Sequence, residues 1–93
     1  MRSIMQKEKA CYACGAVVGL EEHHVIFGTA NRAKSEQYGL KVWLCRHHHT
    51  GGSESVHQNR DFDLYLKHKA QMQFEREIGS REDFIREFGK SYL

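Results

Sequence analysis

Proline is absent from the 93 residues, tryptophan occurs once, and cysteine occurs only three times. There is no internal repeat and no low-complexity segment, so nothing marks a linker and one domain is the expectation for this length. No apolar run approaches the ~20 residues that cross a bilayer. The first nine residues are polar and charged and lack the apolar core of a secretory signal, which predicts a cytosolic protein. A large charge excess is missing too. The formal net charge is +2, which excludes a strongly basic nucleic-acid footprint. The imbalance is local, with seven Lys/Arg against five Asp/Glu in residues 1–58 and seven of each in residues 59–93. Three is also an odd number of cysteines, and two of them stand as CxxC. In a reducing compartment that pattern favours a bound metal over a disulfide framework.

Histidine is what the chain has in quantity. There are seven, four of them between positions 47 and 57. A domain of this size buries only about 60–65% of the surface its unfolded chain exposes. It therefore often relies on a staple such as a metal. Zinc takes four ligands in a tetrahedron and holds cysteine as thiolate. Cys11 and Cys14 supply one pair, Cys45 a third sulfur, and His48 or its neighbour His47 the fourth position. A redox CxxC usually opens a helix beside a βαβ pattern, and no such pattern is present.

The elements follow from local chemistry. Residues 1–10 read as a polar arm, loose or briefly helical. Cys11–Gly15 reads as a metal-binding turn, with Gly15 free to take positive φ. His23–Phe27 is rich in β-branched and aromatic residues and predicts a strand. Residues 33–38 predict a helical turn ending at Gly39, and Leu40–Leu44 a second strand. Thr50–Ser53 is a flexible break. Asn59 or Asp61 caps a long helix whose stripe is Phe62, Leu66, Ala70, Phe74 and Ile78, widened by Tyr65 and Met72. His68 is an exposed helix residue. Gly79 ends the helix, Ser80–Asp83 forms a capping box, and Phe84, Ile85 and Phe88 give a last short helix an apolar face that Gly89 stops. The stripe is core or dimer surface. The fold class is α+β: an arm (1–10), a zinc-stapled core (11–58) and a helical cover (59–93) of the same domain.

If zinc takes His48, then His23, His24, His49 and His57 remain, and a structural site has no use for them. Adjacent histidines on a strand point to opposite faces unless the strand ends there. One can bind a metal while the other faces a substrate. That layout suits phosphodiester hydrolysis, in which a divalent ion stabilises developing charge and a neutral histidine takes a proton from water. Arg32, Lys34, Lys41 and Arg46 lie nearest in sequence and are the expected phosphate contacts, with Arg46 approaching the scissile phosphate.

At Leu20-Glu21-Glu22-His23-His24-Val25 and Val42-Trp43-Leu44-Cys45-Arg46-His47-His48-His49 the chain resembles the HNH endonucleases, the ββα-metal nucleases of phages and mobile elements. Cys11 and Cys14 look like the structural zinc half of many members. Asn31-Arg32, Ser35-Glu36, Tyr38-Gly39-Leu40, Val56-His57 and Asp63-Leu64-Tyr65-Leu66 are similar to small phage or prophage HNH proteins, so the likeness covers about residues 11–93. It implies a ββα-metal unit cutting DNA to 5′-phosphate and 3′-hydroxyl ends. His23 and His49 would hold the catalytic ion, and His24 would activate water. Gly39-Leu40 stands where the family's middle asparagine usually sits. Asn31 is the nearest asparagine and would brace the loop. Ser53 stands where some relatives carry a third ligand, and His57 could fold back to the ion or contact phosphate.

The expected cofactors are a structural Zn2+ and a catalytic Mg2+ or transition metal such as Mn2+, Ni2+ or Zn2+. An all-histidine site leans towards the transition metals. The expected partner is DNA, bound largely without sequence preference, in a bacterial host cytosol; the apolar helices permit a homodimer. Two rivals are a non-catalytic zinc module that binds DNA or protein, and an accessory part of a phage recombination or packaging machine.

Overall fold

A computed structural model describes residues 2–93. In chain order the elements are β1 (Leu20–His24), α1 (Asn31–Tyr38), β2 (Lys41–Cys45), α2 (Arg46–His49), α3 (Arg60–Glu77) and α4 (Arg81–Phe88). The architecture is α+β, as expected. None of the described helices is long and apolar enough to cross a membrane.

The two strands pair antiparallel, with Leu20 opposite Cys45 and His24 opposite Lys41. The first strand begins three residues earlier than expected and ends at His24. Val25 and Ile26 leave the ladder for the core, where Val25 N–H donates to Leu40 O (2.9 Å). Val25 thus keeps one backbone bond to the residue before β2, while its side chain and that of Ile26 serve packing. The pleat sorts the strand pair into two faces. Glu21 and His23 share a face with Val42 and Leu44, while Glu22 and His24 share the other with Lys41 and Trp43.

Helix α1 ends at Gly39, whose φ of 71° is left-handed. A Cβ there would also collide with the Arg2 carbonyl, so glycine is required twice over. The N-terminal arm is docked rather than loose, and it is not helical. Ile4 N–H bonds Gly39 O (2.9 Å), Ser3 Oγ bonds Lys41 O (2.5 Å), and Gln6 Oε1 accepts Trp43 N–H (2.8 Å). The arm therefore covers the outer edge of β2, which would otherwise expose unpaired backbone.

Helix α3 starts at Asn59, whose side chain accepts Phe62 N–H at 3.1 Å. Leu66, Ala70 and Phe74 are fully buried and Phe62 partly so, as the four-residue spacing requires. Tyr65, Met72 and Ile78 are exposed instead, and Gln71 takes the inward place. Gln71 is fully buried because its amide is used: Oε1 accepts Tyr92 N–H (2.6 Å) and Nε2 donates to Ser91 Oγ (3.0 Å). It pins the C-terminal residues across α3. The helix ends at Glu77, with Ile78 as its C-cap and Gly79 just beyond. The Ser80/Asp83 capping box is formed in both directions, and Gly89 ends α4 at φ 92°. Phe84 and Phe88 pack on Phe74, whereas Ile85 faces outward. This helical layer closes the core under α1 and the strands.

Candidate metal centres

The turn at Cys11–Gly15 is built by backbone bonds. Gly15 N–H bonds Cys11 O and Cys11 N–H bonds Ala16 O, each at 2.8 Å, and Gly15 takes φ 82°. Tyr12 N–H then bonds Trp43 O (2.8 Å), which holds the turn beside the end of β2. Cys45 closes β2 and caps α2, and His48 follows one helical turn later. Cys11, Cys14, Cys45 and His48 converge, with their ligand atoms all within 4.8 Å of one another.

The spacing fits zinc closely. On a tetrahedral ion with Zn–S ~2.3 Å and Zn–N ~2.05 Å, the S···S edge is about 3.8 Å and the S···N edge about 3.5 Å. Cys14 Sγ lies 3.8 Å from Cys45 Sγ, and His48 Nδ1 lies 3.3 Å from Cys45 Sγ and 3.8 Å from Cys11 Sγ. Burial pushes the Cys11 thiol up, but backbone N–H groups of Cys45, Cys14 and Ala13 aimed at its sulfur bring its pKa down to about 6. Cys14 receives the Ala16 N–H, which lowers its pKa, yet the neighbouring sulfurs of Cys11 and Cys45 leave it raised overall. Cys11 is thus ready to act as a thiolate, and a divalent ion is what would let the crowded sulfurs ionise together.

A second cluster stands on the inner face of the strand pair. His23, His49 and His57 also have ligand atoms within 4.8 Å of one another, and their ring centroids are 5.0–5.2 Å apart. Nitrogens sharing one tetrahedral ion stand about 3.3 Å apart, so a modest closure of the rings completes such a site. His57 arrives through the segment after α2. Gly51 N–H bonds Arg46 O at 2.8 Å, where a Cβ on Gly51 would press to 2.9 Å from that oxygen. Val56 N–H then bonds His48 O (2.7 Å) and Val56 is buried, which returns the chain to α2. The Thr50–Ser53 break is thus the bend that delivers His57.

His23 is 2% exposed, and its Nε2 has no hydrogen-bond partner among the described residues. Such a nitrogen costs about 1–3 kcal/mol when left unsatisfied. A metal ion on its lone pair would remove that cost. Burial first, then the neighbouring His49, His57, His24 and Lys67, push its pKa down to about 3. Burial and then His49 also lower His57. Both rings are held towards the neutral form that ligates. His49 Nδ1 bonds Glu21 Oε1 (2.8 Å). A carboxylate only accepts, so Nδ1 carries the proton and Nε2 is left as the ligand atom. Glu21 went unremarked in the sequence, although its place two residues before His23 sets both on one face.

A cleft of about 210 Å³ lies over this cluster, lined by Glu22, His23, His24, Phe27, Arg32, His49 and His57. His24, the last residue of β1, lines it together with Glu22 from the same strand face. Its Nε2 bonds Glu36 Oε1 at 2.8 Å. Glu22, His24 and Glu36 also form a group with metal-ligand spacing. Lys41 Nζ stands among them, 2.8 Å from Glu36 Oε2 and 3.3 Å from Glu22 Oε2, so that position already holds a fixed cation.

The other expected site residues fall elsewhere. Lys41 is buried in those ion pairs, and Lys34 donates to Glu87 O of α4 (2.7 Å), so both hold the fold together. Arg46 is exposed at the start of α2 and does not line the cleft; Arg32 does. Asn31 opens α1, and among the described residues its side chain makes no hydrogen bond. The bracing expected of it comes from Ser35, which is fully buried and bonds both Ile26 N–H (3.1 Å) and Ile26 O (2.6 Å). His47 faces outward and pairs with Glu54 at 3.0 Å. His68 is exposed, as expected.

Comparison with protein-family models, with curated proteins and with solved structures finds no match.

Proposed function

We propose that this protein is a metal-dependent endonuclease of the HNH kind, hydrolysing DNA phosphodiesters in a bacterial host cytosol as a phage or prophage product. The observation that carries this reading is the second histidine cluster. It stands apart from the zinc ligands, contains a buried nitrogen without a partner, and opens into a cleft beside His24. A structural staple needs none of these features.

In this reading Cys11, Cys14, Cys45 and His48 hold structural zinc. His23, His49 and His57 hold the catalytic divalent ion, with Glu21 orienting His49. When bound, that ion supplies charge stabilisation at the scissile phosphate and the leaving oxygen. Three neutral nitrogens suit Mn2+, Ni2+ or Zn2+ better than Mg2+, which prefers oxygen. His24 takes the proton from the attacking water. Arg32 meets a phosphate at the rim of the cleft. The neighbouring cleft under the arm shares Glu22 with this one and carries Arg2 and Lys7, which offer further phosphate contacts along the strand.

The test is nicking of supercoiled plasmid by zinc-loaded protein across Mg2+, Mn2+, Ni2+ and Zn2+, with chelator controls. Wild type should nick, and His24→Ala should lose about 10²–10⁴-fold in rate while keeping its fold and both metals. A chain that holds one ion and nicks in none of these metals is a non-catalytic zinc module instead.

A further inference from the structure

Glu36 lies on α1, twelve positions after His24, and its carboxylate is held at both ends. Oε1 meets His24 Nε2 at 2.8 Å and Oε2 meets Lys41 Nζ at 2.8 Å. Lys41 is 8% exposed, and its ammonium is also 3.3 Å from Glu22 Oε2. Lys41 cannot swing away without leaving these carboxylates, so it fixes where Glu36 stands.

The donor and acceptor chemistry then decides the state of the His24 ring. The Lys41 bond, followed by the His24 bond, holds the Glu36 pKa far below the usual carboxylate range. An ionised carboxylate has no proton to give. The short contact therefore requires the proton on His24 Nε2. In the neutral ring the lone pair falls on Nδ1.

We propose that Glu36 is the positioning residue for His24. It selects the Nε2–H tautomer and aims Nδ1 as the nitrogen that receives a proton from water, with Lys41 as the fixed anchor behind it. This rests on the endonuclease reading above. Ser–His–Asp hydrolases obtain the same result when a buried carboxylate orients the catalytic imidazole, and an amide in place of that carboxylate imposes the wrong tautomer.

That chemistry makes Glu36→Gln the informative variant, because it keeps the shape. Lys41 only donates, so it claims the amide oxygen. The amide NH2 then faces His24, which must accept at Nε2 and carry its proton on Nδ1. The expected result is a loss of about 10²-fold or more in kcat with KM within about twofold. Glu36→Asp, which keeps a carboxylate, should recover part of that loss. In a His24→Ala background Glu36→Gln should change nothing further, since it acts only through His24. Long-range 1H–15N spectra of zinc-loaded protein should show His24 as Nε2–H in wild type and as Nδ1–H in Glu36→Gln.

Three results overturn the proposal while leaving the endonuclease reading intact: an active wild type with His24 as Nδ1–H, a Glu36→Gln variant with wild-type kcat, or the same fold-loss from Glu36→Gln with and without His24. A wild type that nicks in no metal overturns both.

Discussion

His48 and His49 are consecutive residues that face two different centres. His48 Nδ1 lies 3.3 Å from Cys45 Sγ, and His49 Nδ1 lies 2.8 Å from Glu21 Oε1 across the strand pair. The cause is helical. One residue of α-helix turns a side chain by about 100°, so the short α2 directs one imidazole to the CxxC turn and the next to β1. The Cys3His cluster and the three-histidine cluster thus share one turn of backbone.

Cys45→Ser should lose the staple. Cys45 ends β2, caps α2 and touches both Cys14 and His48. Structural zinc contributes on the order of 10 kcal/mol of apparent binding free energy in small domains, comparable to the whole stability of such a domain. Metal analysis should find about one zinc fewer per chain, and circular dichroism should show no cooperative melt. A variant that melts like wild type would remove the zinc from its structural role.

His57→Ala should separate the two centres. The variant should keep its zinc and its melting transition, because His57 is exposed and belongs to a different ligand grouping from the sulfurs. Glu21→Ala should weaken the second ion about 10–100-fold, the usual effect of removing a carboxylate behind a ligating histidine. Loss of a direct ligand in His57→Ala should weaken it at least as much. Calorimetric titration of Ni2+ into zinc-loaded protein reads both values; unchanged affinity in both variants would dissolve the site.

Acid should destabilise the protein through His23 when the second site holds no metal. The folded pKa is about 3 against an ordinary 6.5, so the unfolded chain binds the extra proton first. Stability is then full above pH 6.5 and falls as pH drops from about 6.5 towards 3, by about 1.4 kcal/mol per unit. Urea unfolding of the zinc-loaded protein should show about 1.4 kcal/mol less stability at pH 5.5 than at pH 7.5 from this group. In His23→Leu that part of the loss should vanish. An equal loss in both proteins would place the acid sensitivity elsewhere.

Ser35→Ala should cost more stability than Asn31→Ala. Ser35 satisfies the N–H and the carbonyl of Ile26 in a fully buried place. Leaving these unpaired costs about 1–3 kcal/mol. Asn31→Ala should stay within about 0.5 kcal/mol, like other substitutions away from buried networks. Denaturant midpoints compare the two directly, and the reverse order would return the bracing role to Asn31.

Local chemistry is legible in the sequence. The Cys11–Cys14 and Cys45–His48 spacings are set by how far one turn of chain carries a ligand. The Asn59 cap, the Ser80/Asp83 box and the inward Leu66, Ala70 and Phe74 all depend on neighbours within four residues. Where the outcome depended on distant partners, the sequence misled. Val25–Phe27 has strand composition, but pairing with β2 pulled the ladder back onto Glu21 and Glu22. Met72 looked more apolar than Gln71, yet Gln71 is buried because Ser91 and Tyr92 satisfy its amide.

By itself, then, the sequence determined three cysteines with a histidine close behind as a candidate zinc set, the α+β class and the histidines available for a second centre, since these follow from spacing and residue type. Tertiary structure alone decided which histidine falls in which cluster, that His57 folds back to His23 and His49, and that Glu36 bridges His24 and Lys41. Those outcomes depend on the direction in which a side chain leaves its element and on what lies across the gap. Neither is encoded within a few residues of the side chain concerned.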